Sequence, residues 1–295
     1  MLIQQKLESL ESLSPNEKEV AHYILKNKED IEKLSINEIS KKTFTSPSTV
    51  VRLAQKCGYH GFKELKEALH DETKYLQSHF KEIDPNIPFT KQNTMQDVTN
   101  IIASLLSNAI QDTLELFHHD SLQKAVYALD KADNIYVFAV TNTASITYDF
   151  KYKMMYLSKK VHIINNPELF TFTLKTIKKN DCCLFISYSG ETFSIFHLEP
   201  YLKKRNYTAI SITSIGENSL IPLTDYHLYM STREKLTSKI GHYVSNESIH
   251  YILDVLYSNI FLLNYDKNMD LKMNLAKEID YERSSTNEIL QEDIK

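Results

Sequence analysis

Hydroxyl side chains are concentrated in one short stretch of this chain, residues 187–192, whose sequence is SYSGET. The stretch follows an apolar run at 182–186 that predicts a strand, and it precedes residues 193–204, whose apolar side chains recur at helical spacing. A turn between a strand and a helix presents hydroxyls and free backbone N–H groups at the positive end of the helix dipole, which suits a phosphate or another anion. Gly190 would let the backbone approach that anion closely. The same residues also fit a capped turn without a ligand, because Ser and Thr are ordinary N-caps.

A second group of residues with defined chemistry begins a predicted helix near the N-terminus. The helix opens at residues 46–49 (SPST), and Arg52 follows. A helix that reads DNA needs short polar side chains at its N-terminal end for base edges and cations beside phosphates. The lysines around this helix are Lys41, Lys42, Lys56, Lys63 and Lys66. Glu64 is the only acidic residue between 41 and 66, so the region is locally basic. The alternative is a small helical bundle with a solvated lysine face.

Helix signals divide the N-terminal region into four predicted helices. Ser14 with Glu17, and Ser35 with Glu38, have the spacing of capping boxes, and Gly58 stands where a helix ends. Helices are therefore expected to begin near residues 15, 36, 47 and 62. Two short helices joined by a short turn at residues 43–45 fit a helix-turn-helix.

The remainder of the chain alternates between strand and helix patterns. The predicted strands are 133–140, 161–164, 182–186, 208–213 and 226–230. This alternation predicts a parallel sheet with helices on both faces. Ligands of such sheets bind beyond the carboxyl ends of the strands, where the loops at 141–145 and 187–192 both lie.

Composition limits the class of protein. The chain has 295 residues and a formal net charge of −4, which predicts about two domains and no overall nucleic-acid-binding charge. Its three cysteines have neither zinc-ligand nor disulfide-framework spacing. The sequence shows no signal peptide and no membrane-spanning run, so a cytoplasmic protein is expected. The predicted divisions are a helical head at 1–77, a linker at 78–96, a ligand domain at 97–265 and a charged tail at 266–295.

Two segments resemble known families. Residues 187–192 with their flanking strands resemble the phosphosugar-binding turn of the sugar isomerase (SIS) domain, over roughly residues 120–265. Residues 45–66 closely resemble the N-terminal domain of RpiR-type bacterial regulators, in which a helix-turn-helix precedes an SIS domain. The resemblance implies an α/β protein with a separate all-α head: a helix-turn-helix bundle followed by a parallel-sheet αβα sandwich, the SIS fold.

The first loop of the ligand domain departs from the family pattern. That loop usually reads Gly-x-Gly-x-Ser, and the matching positions here are Ala139, Thr141 and Thr143. Both glycines are absent, while Thr143 retains a hydroxyl in place of the family's serine. Crowding of the pocket or reduced access to backbone amides would follow from the missing glycines.

The resemblance implies a bacterial transcriptional regulator of sugar or amino-sugar metabolism, with a sugar phosphate as effector and double-stranded operator DNA as partner. It also implies a homo-oligomer, a dimer or tetramer, without cofactor, metal or catalytic residues and without a membrane partner. The expected DNA-binding residues are Lys42, Ser46, Ser48, Thr49, Arg52 and Lys56. The expected ligand-binding residues are Thr143, Ser187, Ser189, Gly190, Thr192, Ser245 and Glu247.

Two alternatives remain open from the sequence. In the first, the protein is a regulator whose degenerate SIS domain has lost its ligand and serves only for dimerisation. In the second, the protein is a sugar-phosphate isomerase, which needs a general base near the substrate carbon. The candidates for that base are Glu191, His242 and Glu247.

Overall fold

The computed structural model describes residues 2–9, 13–77, 83–279 and 289. Its N-terminal region is helical, as predicted. The helices of this head are α1 (Ile3–Ser9), α2 (Pro15–Lys26), α3 (Ile36–Lys42), α4 (Pro47–Lys56) and α5 (Phe62–Gln77). A 3₁₀ segment, Lys28–Lys33, connects α2 to α3.

Local capping signals determine where the helices of the head begin and end. Ser14 and Ser35 form the predicted capping boxes at the starts of α2 and α3. Gly58 ends α4 in the left-handed region, with φ of 92°. Helix α1 was not predicted, because its cap is distant in sequence: the N–H groups of Ile3 and Gln4 donate to the carboxylate of Glu72, at 2.6 and 3.0 Å.

The head has an apolar core of its own. The fully buried side chains at its centre are Val20, Ile24, Ile31, Ile39, Val50, Leu53, Leu65 and Leu69. An ion pair lies beside this core, between Glu17 of α2 and Lys56 of α4, with 2.8 Å between Oε2 and Nζ. The lysine and the N–H and hydroxyl of Ser14 hold the pKa of Glu17 at about 2. This carboxylate therefore fastens the C-terminal end of α4 to the start of α2.

The second part of the chain is a parallel sheet. Its strands are β1 (Ile135–Phe138), β2 (Val161–Ile164), β3 (Cys182–Ser187), β4 (Thr208–Ser214) and β5 (Tyr226–Met230), in the order β2-β1-β3-β4-β5. Every neighbouring pair is parallel. The associated helices are α6 (Met95–Leu114), α7 (His119–Lys131), α8 (Thr141–Met155), α9 (Phe170–Thr176), α10 (Thr192–Ile195), α11 (Glu199–Lys203), α12 (Tyr243–Leu263) and α13 (Tyr265–Ile279).

Helices cover both faces of this sheet, so the predicted αβα sandwich is confirmed. Helices α7, α8 and α12 pack on one face, against inward residues such as Val137, Leu184 and Ile212. Helices α9, α10 and α11 pack on the other face, where Phe138 and Phe185 stack with ring centroids 4.7 Å apart. Because both faces are covered, the strands are nearly continuous apolar runs.

Two boundaries differ from the sequence-based expectation, and the start of a third element fixes the position of two predicted ligand residues. The helix predicted over 193–204 is divided into α10 and α11, because Pro200 belongs to a first helical turn and His197 before it has φ of 53°. Helix α8 begins at Thr141, within the segment predicted to be a loop. Helix α12 begins at Tyr243, which places Ser245 and Glu247 inside its first turns.

The ends of the ligand domain are helical where they are described. Helix α6 begins at Met95, and α13 follows α12 directly and continues to Ile279. Residues 78–82 of the predicted linker, and residues 280–288 and 290–295 of the predicted tail, lie outside the described residues. Within the described ranges, no helix has the length and apolar character needed to cross a membrane.

Candidate functional sites

The sheet topology places the two predicted ligand loops at the same edge of the sheet. The chain leaves β1 toward β2 on one side, whereas β3 pairs with β1 on the other. A crevice at the carboxyl ends of the strands forms where the strand order reverses, and this is the usual ligand position in open α/β sheets. The connection from β1 to α8 and the turn at residues 187–192 after β3 flank this reversal.

The hydroxyls of the turn at residues 187–192 converge on one another and on the backbone. The hydroxyls of Ser187 and Thr192 are 2.8 Å apart, and the N–H of Gly190 donates to Ser187 Oγ at 3.1 Å. The N–H of Glu191 donates to Ser189 Oγ at 3.1 Å. Ser187 is buried, while Ser189 and Thr192 are half-buried. The hydroxyls of Ser187 and Ser189 thus each accept a backbone N–H of the turn, and the Thr192 hydroxyl lies beside that of Ser187.

Gly190 is required by the shape of this turn. Its φ is 71°, and a Cβ at this position would lie 2.1 Å from Cγ of Asn218. Asn218 is itself fixed: its Oδ1 accepts from the N–H groups of Leu220 and Ile221 at 3.1 and 3.2 Å. Loop 215–219 thus packs directly on the turn.

A carboxylate ties the same two segments together. Glu191 Oε1 accepts from the N–H of Ser219 at 2.9 Å, and its other oxygen accepts from the Ser219 hydroxyl. The turn at 187–192 and loop 215–219 consequently form one packed unit.

The first loop, at residues 141–145, contains a positive φ of the kind that usually requires glycine, although it contains no glycine. Thr141 has φ of 53°, although a β-branched residue in this region is a genuine outlier. Ala139 is fully buried in the core. Thr143, the predicted hydroxyl ligand, is half-buried in the first turn of α8. Beside it, the amide of Asn142 donates to Asn246 Oδ1 at 2.9 Å, so the starts of α8 and α12 meet.

The start of α12 contains the other two predicted ligand residues. Ser245 is buried, and its hydroxyl donates to Glu234 Oε2 at 2.7 Å. Glu247 is half-buried in the next part of the helix. Ser245 therefore serves to hold Glu234, a residue that the sequence analysis missed.

Glu234 is the centre of a buried polar cluster. It forms an ion pair with Lys239 at 2.9 Å, and the exposed fractions of the two side chains are 0% and 4%. Its other oxygen accepts from the N–H of Val244 at 2.6 Å. Both charges are satisfied, as burial requires.

This cluster is joined to the turn at 187–192 through Tyr188. The Tyr188 hydroxyl donates to the carbonyl of Glu234 at 2.6 Å and accepts from its N–H at 3.0 Å. Lys239 Nζ lies 5.1 Å from the centroid of the Tyr188 ring. The signal that could have revealed these residues is the charged run at 233–235, which follows β5 at the same edge of the sheet.

A further buried charge anchors the segment that carries Glu234. Asp112 of α6 is fully buried, and it pairs with Arg233 at 2.9 Å and accepts from Ser231 Oγ at 2.5 Å. Helix α6 therefore fixes the position of residues 231–234.

In the head, five of the six predicted DNA-binding residues are exposed: Lys42, Ser46, Ser48, Arg52 and Lys56. The Ser46 hydroxyl lies 2.7 Å from Ser48 Oγ and 3.0 Å from Thr49 Oγ1. Thr49 is only 3% exposed, so its side chain packs inside the head. Lys56 is the last residue of α4, and its side-chain ammonium group forms an ion pair with Glu17. Thr49 is therefore buried and Lys56 is paired, whereas Lys42 at the end of α3 and Ser46, Ser48 and Arg52 at the start of α4 are exposed.

Loop 215–219 also reaches the head. Lys6 of α1 donates to the carbonyl of Cys57, at the end of α4, at 2.8 Å, and it pairs with Glu217. A cavity of about 730 Å³ lies beside this contact, between the head and the sheet domain. Among the described residues, no group of three or more His, Cys, Asp or Glu side chains could hold a metal ion.

Both parts of the chain match known families. Residues 1–75 match a family model described as the helix-turn-helix domain of the rpiR family, and residues 128–258 match the SIS domain model.

Two relatives are named as uncharacterized HTH-type transcriptional regulators. TTE0211 of Caldanaerobacter subterraneus subsp. tengcongensis is 28% identical over 83% of this chain and 85% of the relative. YbbH of Bacillus subtilis is 27% identical over 86% of this chain and 88% of the relative. Both relatives therefore match across the head and the sheet domain.

Among solved structures, the fold is similar to that of the NanR protein of Vibrio vulnificus, whose structure contains ManNAc-6P. The TM-score is 0.58 and the identity 23%, and the match covers 96% of this chain and 100% of the other. This likeness supports the observed fold, an α-helical head followed by a parallel-sheet domain.

The contact between Gly190 and Asn218 generates the first prediction. Gly190→Ala should lower the free energy of unfolding by about 1–3 kcal/mol, because the new methyl group meets Asn218 and the residue must hold a positive φ. Urea unfolding measures the change.

Gly61→Ala is the matched control, because a Cβ there meets nothing within 4 Å. The double variant Gly190→Ala, Asn218→Ala should regain the part of the unfolding free energy that is lost to the clash with Asn218. The part lost to the positive φ of residue 190 should remain. Equal stability of the two glycine variants would show that Asn218 does not confine the turn.

Proposed function

The chain belongs to the RpiR family of helix-turn-helix transcriptional regulators with an SIS domain, and we propose that this SIS domain senses a phosphorylated sugar and changes the affinity of the head for operator DNA. The observation that carries the proposal is the position of the turn at 187–192 beside the strand-order reversal. Its three hydroxyls and two N–H groups hydrogen-bond within the turn, and we propose that a phosphate at this edge of the sheet takes over those hydrogen bonds.

We assign the phosphate to Ser187, Ser189, Thr192 and the N–H groups of Gly190 and Glu191. Helix α10 spans only Thr192–Ile195, so its dipole contributes less than a long helix would. Hydrogen bonds from the hydroxyls and backbone amides must therefore supply most of the binding. Thr143, across the reversal in the first turn of α8, adds a further hydroxyl in this proposal.

The buried cluster of Glu234, Lys239 and Tyr188 is proposed to form a wall of the sugar pocket. Tyr188 belongs to the phosphate-binding turn and is bonded to the backbone of Glu234, so a ligand in the turn adjoins the cluster. Ser245 would act through Glu234, and Glu247 would contact the sugar directly. The ManNAc-6P complex of NanR supports a sugar phosphate as the class of effector.

The ligand-free alternative is less well supported by the first loop. Thr141 retains a positive φ, which is unfavourable for threonine, although no glycine remains in the loop. Strained residues that the surrounding fold holds in place are concentrated at ligand sites, and the Asn142–Asn246 hydrogen bond holds this one. We therefore propose that the altered loop still lines a ligand site.

We propose that the protein is not an isomerase. The Glu191 carboxylate is bonded to Ser219, and His242 is an exposed residue at the start of α12. Neither arrangement presents a free base in the crevice. Glu247, the third candidate, is assigned to sugar contact in this proposal, and a turnover assay with the ligand found below tests whether it also acts as a base. The relatives are also named as regulators rather than enzymes.

Head-to-pocket communication is proposed to pass through loop 215–219. One end of the loop contacts the turn through Asn218 and Ser219, and Glu217 pairs with Lys6, which binds the end of α4. A ligand that moves the turn would also shift this loop. The populations of the possible orientations of the head would change with it. Because helix-turn-helix proteins read paired half-sites, we propose that a homo-oligomer, a dimer or tetramer, binds the operator.

The exposed face of α4 generates the second prediction. Arg52→Ala should weaken binding to operator DNA by about 5- to 150-fold, as expected for loss of a bidentate base contact worth roughly 1–3 kcal/mol. The probe is a duplex selected by the wild-type protein from a random-sequence pool, and affinity is measured by fluorescence anisotropy. Lys204→Ala, an exposed cation of the sheet domain, is the control for a general loss of charge. Equal affinity of Arg52→Ala and wild type would remove this residue from the interface.

The third prediction concerns the phosphate-binding turn. A thermal-shift scan against sugar phosphates should show one selective ligand, which at one hundred times its Kd adds about 2.7 kcal/mol of stability. Ser189→Ala should reduce that shift while leaving DNA binding without ligand unchanged, and Ser104→Ala on α6 should leave both unchanged.

Inorganic phosphate and unphosphorylated sugars complete the panel as controls. No selective shift for the wild type would favour the ligand-free alternative. A full shift for Ser189→Ala would place the phosphate elsewhere.

The fourth prediction isolates the coupling loop. Glu217→Gln should leave ligand affinity intact and reduce the ligand-induced change in DNA affinity by about 2- to 5-fold, because a partly exposed ion pair contributes up to about 1 kcal/mol. The comparison is DNA binding with and without the ligand found in the scan. Glu199→Gln, which breaks a surface pair with Lys203, is the control. Unchanged coupling in Glu217→Gln would exclude this route.

A further inference from the structure

A fully exposed aromatic side chain lies in the head, just before the exposed residues at the start of α4. Phe44 connects α3 to α4, and 97% of its surface is exposed. Within the described part of the head, it is the only large apolar side chain with such exposure. A phenylalanine stabilises a fold mainly when its ring is buried, so the exposed ring of Phe44 contributes little to the stability of the head.

The backbone at Phe44 is also unfavourable for its residue type. Its φ is 52°, in the left-handed region that glycine or asparagine adopts at a helix end. The turn is fixed by neighbours: the N–H of Thr45 donates to Ser40 O at 2.9 Å, and the hydroxyls of Thr43 and Thr45 are 2.8 Å apart. Phe44 therefore combines conformational strain with complete exposure, and neither helps the isolated head to fold.

The surroundings of Phe44 indicate what covers it. Lys41 and Lys42 immediately precede the turn, and the exposed residues Ser46, Ser48 and Arg52 follow on α4. Such a surface is complementary to a polyanion. The N-terminal end of a recognition helix enters the major groove, where the C5-methyl group of thymine is the one apolar group on a base edge.

Resting on the DNA-binding function proposed above, we propose that Phe44 packs against a thymine methyl group in the major groove and so selects a thymine next to the bases that α4 reads. Lysines at the turn would hold the phosphates, and Ser48 and Arg52 would address the neighbouring base edges. In this proposal the left-handed residue that ends α3 directs the ring outward, into the groove.

Phe44→Asn tests this with two opposite expectations. Asparagine tolerates a positive φ, so the variant should melt at a higher temperature than wild type. Its affinity for the duplex selected by wild type should nevertheless fall about 5- to 50-fold. Phe172→Asn removes another exposed phenylalanine, 70% exposed on α9 of the sheet domain, and should leave DNA affinity unchanged.

Replacing thymine by deoxyuridine in the selected duplex removes only the methyl group. Wild type should lose affinity at one thymine of each half-site, and Phe44→Asn should be insensitive to that replacement. Equal sensitivity of the two proteins would overturn the proposal, as would full affinity of Phe44→Asn. Should this variant fail to fold, Phe44→Gly, which also permits a positive φ, replaces it.

The outcomes separate this inference from the function on which it rests. If wild type selects no duplex, the DNA-binding proposal fails. If wild type selects DNA while Phe44→Asn binds it equally well, only the role of Phe44 fails. A change in oligomer size for Phe44→Asn without a change in DNA affinity would assign the ring to a second copy of the chain and overturn the proposal.

Discussion

The close approach of Gly190 to the Asn218 side chain is the constraint on which the sheet domain's functional edge depends. No side chain fits at residue 190, so the turn after β3 lies against loop 215–219. Glu191 closes the same contact through Ser219. The turn therefore holds its hydroxyls together by tertiary packing, with little help from a helix of only four residues. The turn therefore moves only if the neighbouring loop moves, which is the physical reason for proposing that loop as the route of a signal.

Features fixed by neighbouring residues in the chain were predictable from the sequence. Both capping boxes, the end of α4 at Gly58 and the five parallel strands follow from spacings of a few residues. The position of the two ligand loops at one edge of the sheet also followed, because strand and helix alternation determines where the carboxyl ends lie. The residues assigned to the two binding surfaces remain predictions that the proposed variants test.

Contacts between distant residues could not be predicted in the same way. Helix α1 depends on Glu72 as its cap, and the lysine at position 56 is engaged by Glu17, 39 residues away. The carboxylate of Glu234 is satisfied by Lys239, Val244 and Ser245, five to eleven residues later, and only the charged run at 233–235 marks it in the sequence. The prediction of one continuous helix over 193–204 was wrong for a different reason. The apolar spacing there is helical, but Pro200 requires that a new helix begins near it.

Strain adds a different kind of information. Four residues other than glycine have positive φ: Phe44, Thr141, Ser158 and His197 among the described residues. Phe44, Ser158 and His197 each follow a helix, where a left-handed residue is a common ending. Thr141 has no such explanation, because it begins α8, and its β-branched side chain makes the conformation still less favourable. The neighbouring Asn142–Asn246 hydrogen bond and the packing of α8 on α12 hold it there. The loop's shape is thus imposed by the surrounding fold, which explains how it persists after both glycines of the family pattern have been replaced.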